Sequence, residues 1–298
     1  MQKLISVVIL TYNEEKHIER CLTSLKSLAD EIFVIDSFSN DRTVEMATSM
    51  GAKVYQHKWK NYATQFNWAL ENCPINSKWV WRIDADEYIE NPDRSVREQL
   101  EKLPEKTTAV YVKRKIVFLG KELLHGGWFP VWHLKIWKYG KGYCENRWMD
   151  EHIKIFEGEE ESTKIDCTQV DCNLNDLKWW TEKHIGYAHR EMIDILDTKY
   201  GIFEKNDVLP RLFGTDEQRK RWLKLRYINL PLFLRPCLNF IYRYFFRLGF
   251  LDGRQGLIWH FLQGFWYRFL VDANIYELTR KYQHNKQQIT DYLKSNYK

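Results

Sequence analysis

Residues 4–25 read LISVVILTYNEEKHIERCLTSL, and this stretch decides the fold. Leu4 to Leu10 is an unbroken apolar run rich in β-branched residues, which predicts a strand buried on both faces. After the polar residues 11–14, apolar residues recur at helical spacing, at Ile18, Leu22, Leu25 and Leu28. The stretch therefore predicts a strand, a loop and a helix in that order.

The same alternation continues further along the chain. The patterns predict strands at 32–35, 52–55 and 79–83, a short helix at 41–50 and another at 62–70. Strands that alternate with short helices form a parallel sheet with helices on both faces, and ligands bind at the carboxyl ends of its strands. The predicted fold class is therefore α/β.

Polar residues follow three of the predicted strands: Thr11, Asn13 and Glu14, then Asp36 and Ser37, then Asp84-Ala85-Asp86. Residues two apart on an extended chain point to the same side, so both carboxylates of the last triplet can face one ligand. Carboxylate oxygens are the ligands that Mg²⁺ and Mn²⁺ prefer, and these ions carry diphosphates. Neither GxGxxG nor GxxxxGK occurs, so neither the dinucleotide fingerprint nor the P-loop explains this site.

Four segments resemble, in order, the landmarks of family 2 glycosyltransferases with the GT-A fold: LISVVILTYNEEKHIERCLTSL, EIFVIDSFSNDRTVEMA, YATQFNWAL and WVWRIDADEYI. The resemblance implies a Rossmann-like, mostly parallel mixed sheet with a nucleotide-sugar site. It assigns the following roles: Thr11, Tyr12 and Glu14 would line the nucleoside pocket, Asp36 would accept a hydrogen bond from the base, Arg82 and Asp84 would approach the ribose and the sugar, and Asp86 would hold Mn²⁺ or Mg²⁺ on the diphosphate. Gln65 and Asn67 match a polar pair that faces the donor region, and a helix-surface position is the alternative.

An inverting transfer needs a carboxylate that takes the proton of the acceptor hydroxyl. The segment Met149-Asp150-Glu151-His152 resembles the corresponding part of bacterial lipopolysaccharide-core glucosyltransferases, which aligns their Glu with Glu151. Asp150 stands where those relatives have His. We therefore expect Glu151 to be the catalytic base, with Asp150 as the main alternative and a solvated acidic turn as the other interpretation.

The C-terminal third predicts an amphipathic helical hairpin. Residues 230–250 place Arg235, Asn239, Arg243 and Arg247 four residues apart on an otherwise apolar and aromatic helix, and residues 255–278 form a second aromatic helix. The longest stretch without Lys, Arg, Asp or Glu, residues 255–267, is shorter than the roughly 20 residues that span a bilayer. We expect a monotopic hairpin on a membrane surface, and a pair docked on protein is the alternative.

The charge distribution favours lipid over nucleic acid. Residues 211–254 contain ten Lys and Arg against three Asp and Glu, a local charge of +7 in a chain whose net charge is +5. Long apolar runs interleave with these charges, a pattern typical of anionic membrane surfaces. The six cysteines form no CxxC pair and no secretory signal pattern occurs, so we expect free thiols and a cytoplasmic location.

These patterns together predict an inverting, metal-dependent glycosyltransferase. We expect a nucleotide-sugar half at 1–105, an acceptor half at 106–210 and a membrane-association region at 211–298. The donor would be a UDP-hexose and the acceptor a lipid-linked or lipopolysaccharide-type glycan at the cytoplasmic face of the bacterial inner membrane. A sugar-nucleotidyltransferase and a non-catalytic membrane-associated scaffold are the alternatives, and the sequence does not identify the sugar.

Overall fold

The computed structural model describes residues 3–146, 151–156, 161–203, 212–213 and 216–297. These residues form two compact units, the first made of the described residues up to Leu174 and the second beginning at Asn175. The helix Leu177–Tyr200 therefore groups with the C-terminal helices. The expected donor and acceptor halves stay a prediction, because they concern which ligand each segment binds.

The first unit contains most of the strands and the short helices between them. Its elements are β1 (Lys3–Thr11), α1 (Ile18–Leu25), β2 (Glu31–Asp36), α2 (Thr43–Ser49), β3 (Lys53–Gln56), α3 (Tyr62–Asn72), β4 (Ser77–Asp84), β5 (Glu87–Ile89), α4 (Ser95–Glu101), β6 (Ala109–Phe118), β7 (Lys121–Glu122), β8 (Val131–Lys138), β9 (Gly142–Cys144), β10 (Ile153–Ile155) and β11 (Ser162–Asp171). The five strands and helices predicted between residues 32 and 83 are all present.

The main sheet is mixed, and its parallel part carries the predicted strand ends. The described strands run in the order β3-β2-β1-β4-β8-β6-β11-β5, with β7 paired to β6. β3, β2, β1 and β4 are parallel neighbours, whereas β8 is antiparallel to both β4 and β6. β9 and β10 form a separate antiparallel pair. This arrangement confirms the predicted α/β fold with a mixed sheet.

Both faces of β1 are buried, as its continuous apolar run predicts. Ile5, Val7 and Ile9 pack in one cluster with the apolar residues of α1, while Val8 packs in a second cluster with those of α3. Alternate residues of a strand point to opposite faces, so one strand contributes to both clusters. The helices therefore cover the sheet on two sides and leave the strand ends as the place for polar side chains.

The second unit is helical: α5 (Leu177–Tyr200), α6 (Asp216–Ile228), α7 (Leu234–Ile241), α8 (Gly253–Trp259), α9 (Tyr267–Lys281) and α10 (Lys286–Asn296). A π-helical turn at Tyr242–Phe246 extends α7, a 3₁₀ turn at Gly249–Asp252 follows, and a π-helical segment at His260–Trp266 joins α8 to α9. Apolar residues of α5, α9 and α10 form the core of this unit. Among the described residues, every helix is too short or too polar to cross a bilayer.

The predicted helical hairpin is present, and part of its polar stripe faces inward. Arg235 is buried and paired with Asp272 on α9, and Asn239 Nδ2 donates to the Gly264 carbonyl oxygen across 2.7 Å. Arg243 Nε donates to Asn239 Oδ1 across 3.3 Å. Arg235 and Asn239 therefore join the two arms of the hairpin, whereas Arg247, the last residue of the predicted stripe, is exposed.

Candidate active site

The polar strand ends expected from the sequence lie at one edge of the sheet. β1 and β2 are in register with Thr11 beside Asp36, and β1 and β4 are in register with Leu10 beside Asp84. Because these strands are parallel, their carboxyl ends share that edge, which is where α/β proteins bind ligands. The fold thus brings Thr11, Asp36 and Asp84 together.

Asp36 is fully buried and binds the loop that follows its own strand. Its carboxylate accepts hydrogen bonds from the Thr11 hydroxyl across 3.0 Å and from the Ser39 main-chain N–H across 2.8 Å, and the Ser39 hydroxyl also donates to it. A carboxylate offers about four acceptor positions, so these bonds occupy most of them. The role expected for Asp36, accepting a hydrogen bond from a nucleobase, stays a prediction.

Main-chain donors tie the loops after β1 and β2 to each other. The Asn13 N–H donates to the Ser39 hydroxyl across 2.8 Å, and the Glu14 N–H donates to the Thr43 hydroxyl across 2.8 Å. In return, the Asn40 N–H donates to Asn13 Oδ1 across 3.0 Å. Asn13 has a φ of 56°, a left-handed conformation that Asn adopts more readily than most residues. These bonds hold the two loops in a fixed arrangement.

Tyr12 and Glu14, both expected in the nucleoside pocket, differ in their surroundings. Tyr12 is 58% exposed, so its ring is accessible for stacking. Glu14 Oε2 lies 2.6 Å from Nδ1 of the buried His17, whose Nε2 accepts from the Leu174 main-chain N–H across 2.9 Å. Because a main-chain N–H can only donate, His17 carries its proton on Nδ1 and donates it to Glu14. Glu14 is therefore held in one orientation.

The polar pair on α3 is turned into the protein. Gln65 is fully buried, and its Nε2 donates to the Ser37 hydroxyl across 3.1 Å and to the His57 carbonyl across 3.0 Å. Asn67 Nδ2 donates to the Cys144 carbonyl across 2.8 Å, and Asn67 Oδ1 accepts from the Cys144 N–H across 2.9 Å. Gln65 is therefore an interior residue that fixes the loops after β2 and β3, and the half-buried Asn67 fixes the strand β9. That the pair faces the donor stays a prediction.

Neighbouring cations hold Asp84 ionised. Its Oδ1 accepts from the Tyr62 hydroxyl across 2.5 Å, and its Oδ2 lies 3.9 Å from the Lys135 ammonium. Burial raises the pKa of Asp84, but Lys135, Arg82 and the Tyr62 hydrogen bond outweigh burial and lower the pKa from 3.8 to about 2. Asp84 is therefore a carboxylate at neutral pH, able to accept from a ribose or sugar hydroxyl.

Asp86 is half-buried and anchored through its main chain. Its carbonyl oxygen accepts from the Cys172 N–H and from Arg20 Nη2, each across 3.1 Å, and its Oδ2 accepts from Asn173 Nδ2 across 2.9 Å. Magnesium sites that bind phosphate groups use one or two carboxylates and complete the shell with phosphate oxygens and waters. Asp86, two residues after the ionised Asp84, fits that donor set. Among the described residues, no group of three or more His, Cys, Asp or Glu forms a separate metal site.

A buried ion pair behind this triplet was not expected from the sequence. Glu87 accepts from the Asp84 main-chain N–H across 2.8 Å and from Lys135 Nζ across 2.9 and 3.1 Å, and Gln169 also donates to it. The side chains of Glu87 and Lys135 are only 3% and 8% exposed. Because such a network is satisfied in one geometry, it fixes the turn that carries Asp84 and Asp86.

The sequence contained a signal for this pair. Lys135 stands in the middle of the apolar strand segment WHLKIW, residues 132–137. A buried ammonium needs a partner, since an isolated charge away from water is very costly. The partner is Glu87, which directly follows the DxD triplet but lies on a different strand.

Arg82 connects the strand of Asp84 with the segment of the expected base. Its Nε donates to the Tyr62 hydroxyl across 2.8 Å, and its Nη1 donates to the Glu151 main-chain carbonyl across 3.1 Å. Burial lowers the pKa of Arg82, but Tyr62 and Asp84 outweigh it and keep that pKa above its usual value. The side chain of Glu151 is half-buried. The alternative base, Asp150, lies outside the described residues.

These residues lie in a segment of the chain that matches the sequence profile of a known family. The profile described as "Glycosyl transferase family 2" matches residues 6–158, just over half of the 298 residues. The chain belongs to glycosyl transferase family 2. The matched segment contains the three strand ends, the DxD triplet and Glu151, so the resemblance stated from the sequence is confirmed.

Related proteins match this family 2 glycosyltransferase over part of their length. A Rickettsia bellii protein named as an uncharacterized glycosyltransferase is 44% identical over 89 residues, 30% of each chain. The lipopolysaccharide core biosynthesis glycosyltransferase LpsC of Rhizobium meliloti is 35% identical over 104 residues, 33% of this chain and 36% of LpsC. A crystal structure of glucosyl-3-phosphoglycerate synthase from Mycobacterium tuberculosis, in complex with Mn²⁺, UDP and glucosyl-3-phosphoglycerate, is 26% identical with a TM-score of 0.31, covering 38% of this chain and 44% of that chain. The matches thus span well under two thirds of each of these proteins.

Proposed function

We propose that this family 2 glycosyltransferase transfers one sugar, with inversion, from a UDP-sugar to a lipid-linked or lipopolysaccharide-type glycan. The observation that carries the proposal is the hydrogen-bonded chain from Asp84 through Tyr62 and Arg82 to the carbonyl of Glu151. It joins the donor-side carboxylate to the segment of the expected base. The relative named for lipopolysaccharide core biosynthesis supports the acceptor class.

The proposed reaction needs one proton acceptor and a stabilised leaving group. The acceptor oxygen bonds to C1 of the sugar while the bond from C1 to the diphosphate breaks, and the diphosphate leaves as UDP. The Glu151 carboxylate takes the proton of the acceptor hydroxyl. A general base of this kind raises the reaction rate about 10²- to 10⁴-fold. Attack from the side opposite the leaving group inverts the anomeric carbon.

Asp86, together with Asp84, would hold Mn²⁺ or Mg²⁺ in this reaction. A bound ion supplies positive charge that stabilises the departing diphosphate. The protein supplies the orientation: Asn173 and the main-chain contacts of Asp86 fix one carboxylate, and Lys135 keeps the other ionised. Tyr12 supplies an exposed aromatic face on which the base would stack.

We further propose that the protein works at the cytoplasmic face of the bacterial inner membrane as a monotopic protein. Residues 211–254 have an excess of basic residues, and those other than Arg235, which is buried and paired with Asp272, would attract an anionic leaflet. Lipid-linked acceptors lie in that surface, so an enzyme held there meets them at a raised effective concentration.

Donor hydrolysis tests the catalytic proposal without a known acceptor. The purified protein is incubated with a panel of UDP-, GDP- and TDP-sugars, with Mn²⁺ or Mg²⁺ and with chelator, beside the Asp86→Asn variant. We expect one UDP-sugar to give UDP and free sugar with wild type and metal only. Glu101→Gln, which changes an exposed carboxylate at the end of α4, is the matched control and should keep full activity.

The products separate this proposal from its alternatives. A sugar-nucleotidyltransferase would consume a nucleoside triphosphate with a sugar phosphate and release pyrophosphate. If no sugar nucleotide is hydrolysed and none binds in calorimetry, the non-catalytic scaffold interpretation replaces the enzyme. Hydrolysis that survives Asp86→Asn and chelation would remove the metal role from Asp86.

A further inference from the structure

The outer surface of the C-terminal hairpin is apolar. We define the hairpin as residues 234–281 and its tip as residues 242–261. Within residues 234–269, the exposed charged side chains are Arg247 and Arg254. The exposed large apolar side chains are far more numerous: Leu234, Leu238, Ile241, Tyr242, Phe245, Phe246, Leu248, Phe250, Leu251, Leu257, Phe261 and Phe269. Contiguous exposed apolar patches of this kind mark protein or membrane contacts.

Several charged and polar side chains of the hairpin lie inside it. Asp252 and His260 are 2% and 0% exposed, and the ion pair between Arg235 and Asp272 is buried on both sides at 1% exposure. Burial, with Arg268 and Arg247 nearby, lowers the pKa of Arg243 to about 10. A surface helix of a water-soluble protein has the opposite arrangement, with charges outside and apolar groups inside. Charged groups that face the interior of a helix pair are the rule where the surrounding medium is lipid.

The tip is closely packed, so its apolar side chains cannot fold inward. A Cβ added to Gly249 would lie 2.2 Å from His260 Nε2, and one added to Gly256 would lie 2.8 Å from the Gly249 carbonyl oxygen and 2.6 Å from Asp252 Cβ. A side chain at Gly249 would therefore collide with His260, and one at Gly256 would collide with the Gly249–Asp252 turn. The ring of Tyr244 packs against His260, with centroids 5.7 Å apart. The space between the arms is filled, which leaves the exposed Phe and Leu side chains to an external partner.

The length of the hairpin suits one leaflet. Its first arm consists of the 8 residues of α7 and the 5 residues of the π-helical turn, which at about 1.5 Å per residue gives about 20 Å. The hydrocarbon part of one leaflet is half of about 30 Å, or about 15 Å. Arg247 and Arg254 flank the Gly249–Asp252 turn, so their charged groups reach the phosphates only if the turn stays within one side-chain length of them. The arm is long enough to enter a leaflet and too short to cross the bilayer.

We propose that the tip, residues 242–261, inserts into the acyl-chain region of one leaflet as a re-entrant hairpin, with the Phe and Leu side chains in contact with lipid tails. This inference rests on the membrane location proposed above and deepens it. A helix lying flat and bound by charge alone would dissociate at high salt. Insertion of the tip instead binds through apolar contact, which salt does not weaken.

Vesicle binding tests the insertion. The full chain is floated with vesicles of phosphatidylethanolamine and phosphatidylglycerol at about 3:1, in low salt and in about 1 M NaCl. We expect wild type to float in both. The double variant Phe246→Ser with Leu251→Ser should bind vesicles about 100-fold more weakly, at about 10-fold for each apolar side chain removed from lipid.

A control removes two other exposed apolar side chains, which lie outside the hairpin. Leu124→Ser with Ile185→Ser changes residues that are 41% and 52% exposed, and it should keep wild-type flotation. The helical signal in circular dichroism and the rate of donor hydrolysis without vesicles verify that both double variants are folded. If the proposed enzymatic activity is wrong, neither wild type nor any variant hydrolyses a sugar nucleotide. If only the proposed insertion is wrong, hydrolysis is unchanged, and the two double variants float equally well with vesicles.

A depth measurement decides between insertion and surface binding. A fluorescent NBD group is placed on Leu251→Cys in a chain whose two half-buried thiols, Cys172 and Cys237, are changed to Ser. Quenching by lipids brominated on their acyl chains supports insertion, and quenching by aqueous iodide in the presence of vesicles overturns it. Release of wild type at about 1 M NaCl also overturns it. The proposal is also overturned if wild type is a dimer without vesicles and the Phe246→Ser with Leu251→Ser variant is a monomer. In that case a second copy of the chain covers the tip.

Discussion

Arg82 Nη1 donates a hydrogen bond to the main-chain carbonyl oxygen of Glu151 across 3.1 Å. The same guanidinium binds the Tyr62 hydroxyl, which in turn donates to Asp84. Residues 69 positions apart are therefore held in one chain of hydrogen bonds. A change in the middle of this chain affects both of its ends, which makes Tyr62 the informative position for mutation.

We predict that Tyr62→Phe lowers the kcat of donor hydrolysis about 10- to 100-fold. The variant removes a hydrogen bond to an ionised carboxylate, which contributes about 1.5–3 kcal/mol. The stacked contact between the ring and Arg82, with the guanidinium 4.1 Å from the ring centroid, is kept. Steady-state kinetics with the UDP-sugar checks the effect. Tyr139→Phe, which removes a partly exposed hydroxyl that donates to Leu70, is the control, and an equal loss in both variants would contradict the role of Tyr62.

We predict that Glu151→Gln lowers turnover by about 10²-fold or more while the Kd of UDP changes less than about threefold. The amide keeps the shape of the side chain and the main-chain bond to Arg82, but it cannot accept the proton. Calorimetry with UDP and single-turnover hydrolysis separate binding from chemistry. Asp150→Asn is measured in parallel. If it shows the larger loss in turnover, the base is Asp150 and the assignment of Glu151 is wrong.

We predict that Lys135→Met destabilises the protein by about 3–5 kcal/mol. The change leaves Glu87 buried without its cation, and an uncompensated buried charge is strongly destabilising. Urea unfolding followed by tryptophan fluorescence measures the free energy. The double variant Lys135→Met with Glu87→Gln should recover part of the loss, because it removes both charges.

A surface pair gives the comparison for Lys135. Lys113 and Asp166 pair at 2.6 Å, with side chains that are 28% and 83% exposed. Pairs of this kind contribute about 0–1 kcal/mol, so Lys113→Met should have a small effect. A loss at Lys135→Met no larger than at Lys113→Met would show that the buried network does not hold the DxD turn.

We predict that the helical unit loses stability between pH 6.5 and pH 4. Burial lowers the pKa of both His184 and His260 from 6.5 to about 4. Between these pH values the two histidines are protonated in the unfolded chain and neutral in the folded chain. The contribution of these histidines to the free energy of unfolding is therefore complete above pH 6.5 and falls as the pH falls. By pH 5 each histidine has lost about 2 kcal/mol of it. Urea unfolding followed by the helical signal at pH 7 and pH 5 measures it.

The matched variants for this pH dependence change only histidines. His184→Gln with His260→Gln should flatten the difference in unfolding free energy between pH 7 and pH 5, whatever its effect at pH 7. His284→Asn, at an exposed position with a φ of 59° that Asn tolerates, should leave the difference unchanged. A pH dependence that persists in the double variant would place its origin elsewhere.

The sequence predicted the parallel part of the sheet and the DxD because both are local patterns. β1, β2 and β4 are short apolar runs with polar residues directly after them, and adjacent parallel strands place those residues at one edge. Tyr62 and Lys135 were missed because their partners lie on other elements. The bond between Lys135 and Glu87 joins residues 48 positions apart, and no local pattern reports such a pairing.

The hairpin shows a second limit of local patterns. The four-residue spacing of Arg235, Asn239 and Arg243 correctly predicts one polar stripe along a helix. The same spacing is compatible with a stripe that faces water and with one that faces a second helix. Asp272 on α9 decides the orientation, because its carboxylate is the buried partner of Arg235. Tertiary packing, and not helix periodicity, determines which side is outside.

The pairing of Glu87 with Lys135 also constrains how this protein can evolve. A mutation that removes either charge alone leaves the other buried and unpaired, so the intermediate sequence is less stable than both of its neighbours. The two positions can change together far more easily than one after the other. Among relatives that keep this sheet, an acid at position 87 and a lysine at position 135 should therefore be inherited or lost as a pair.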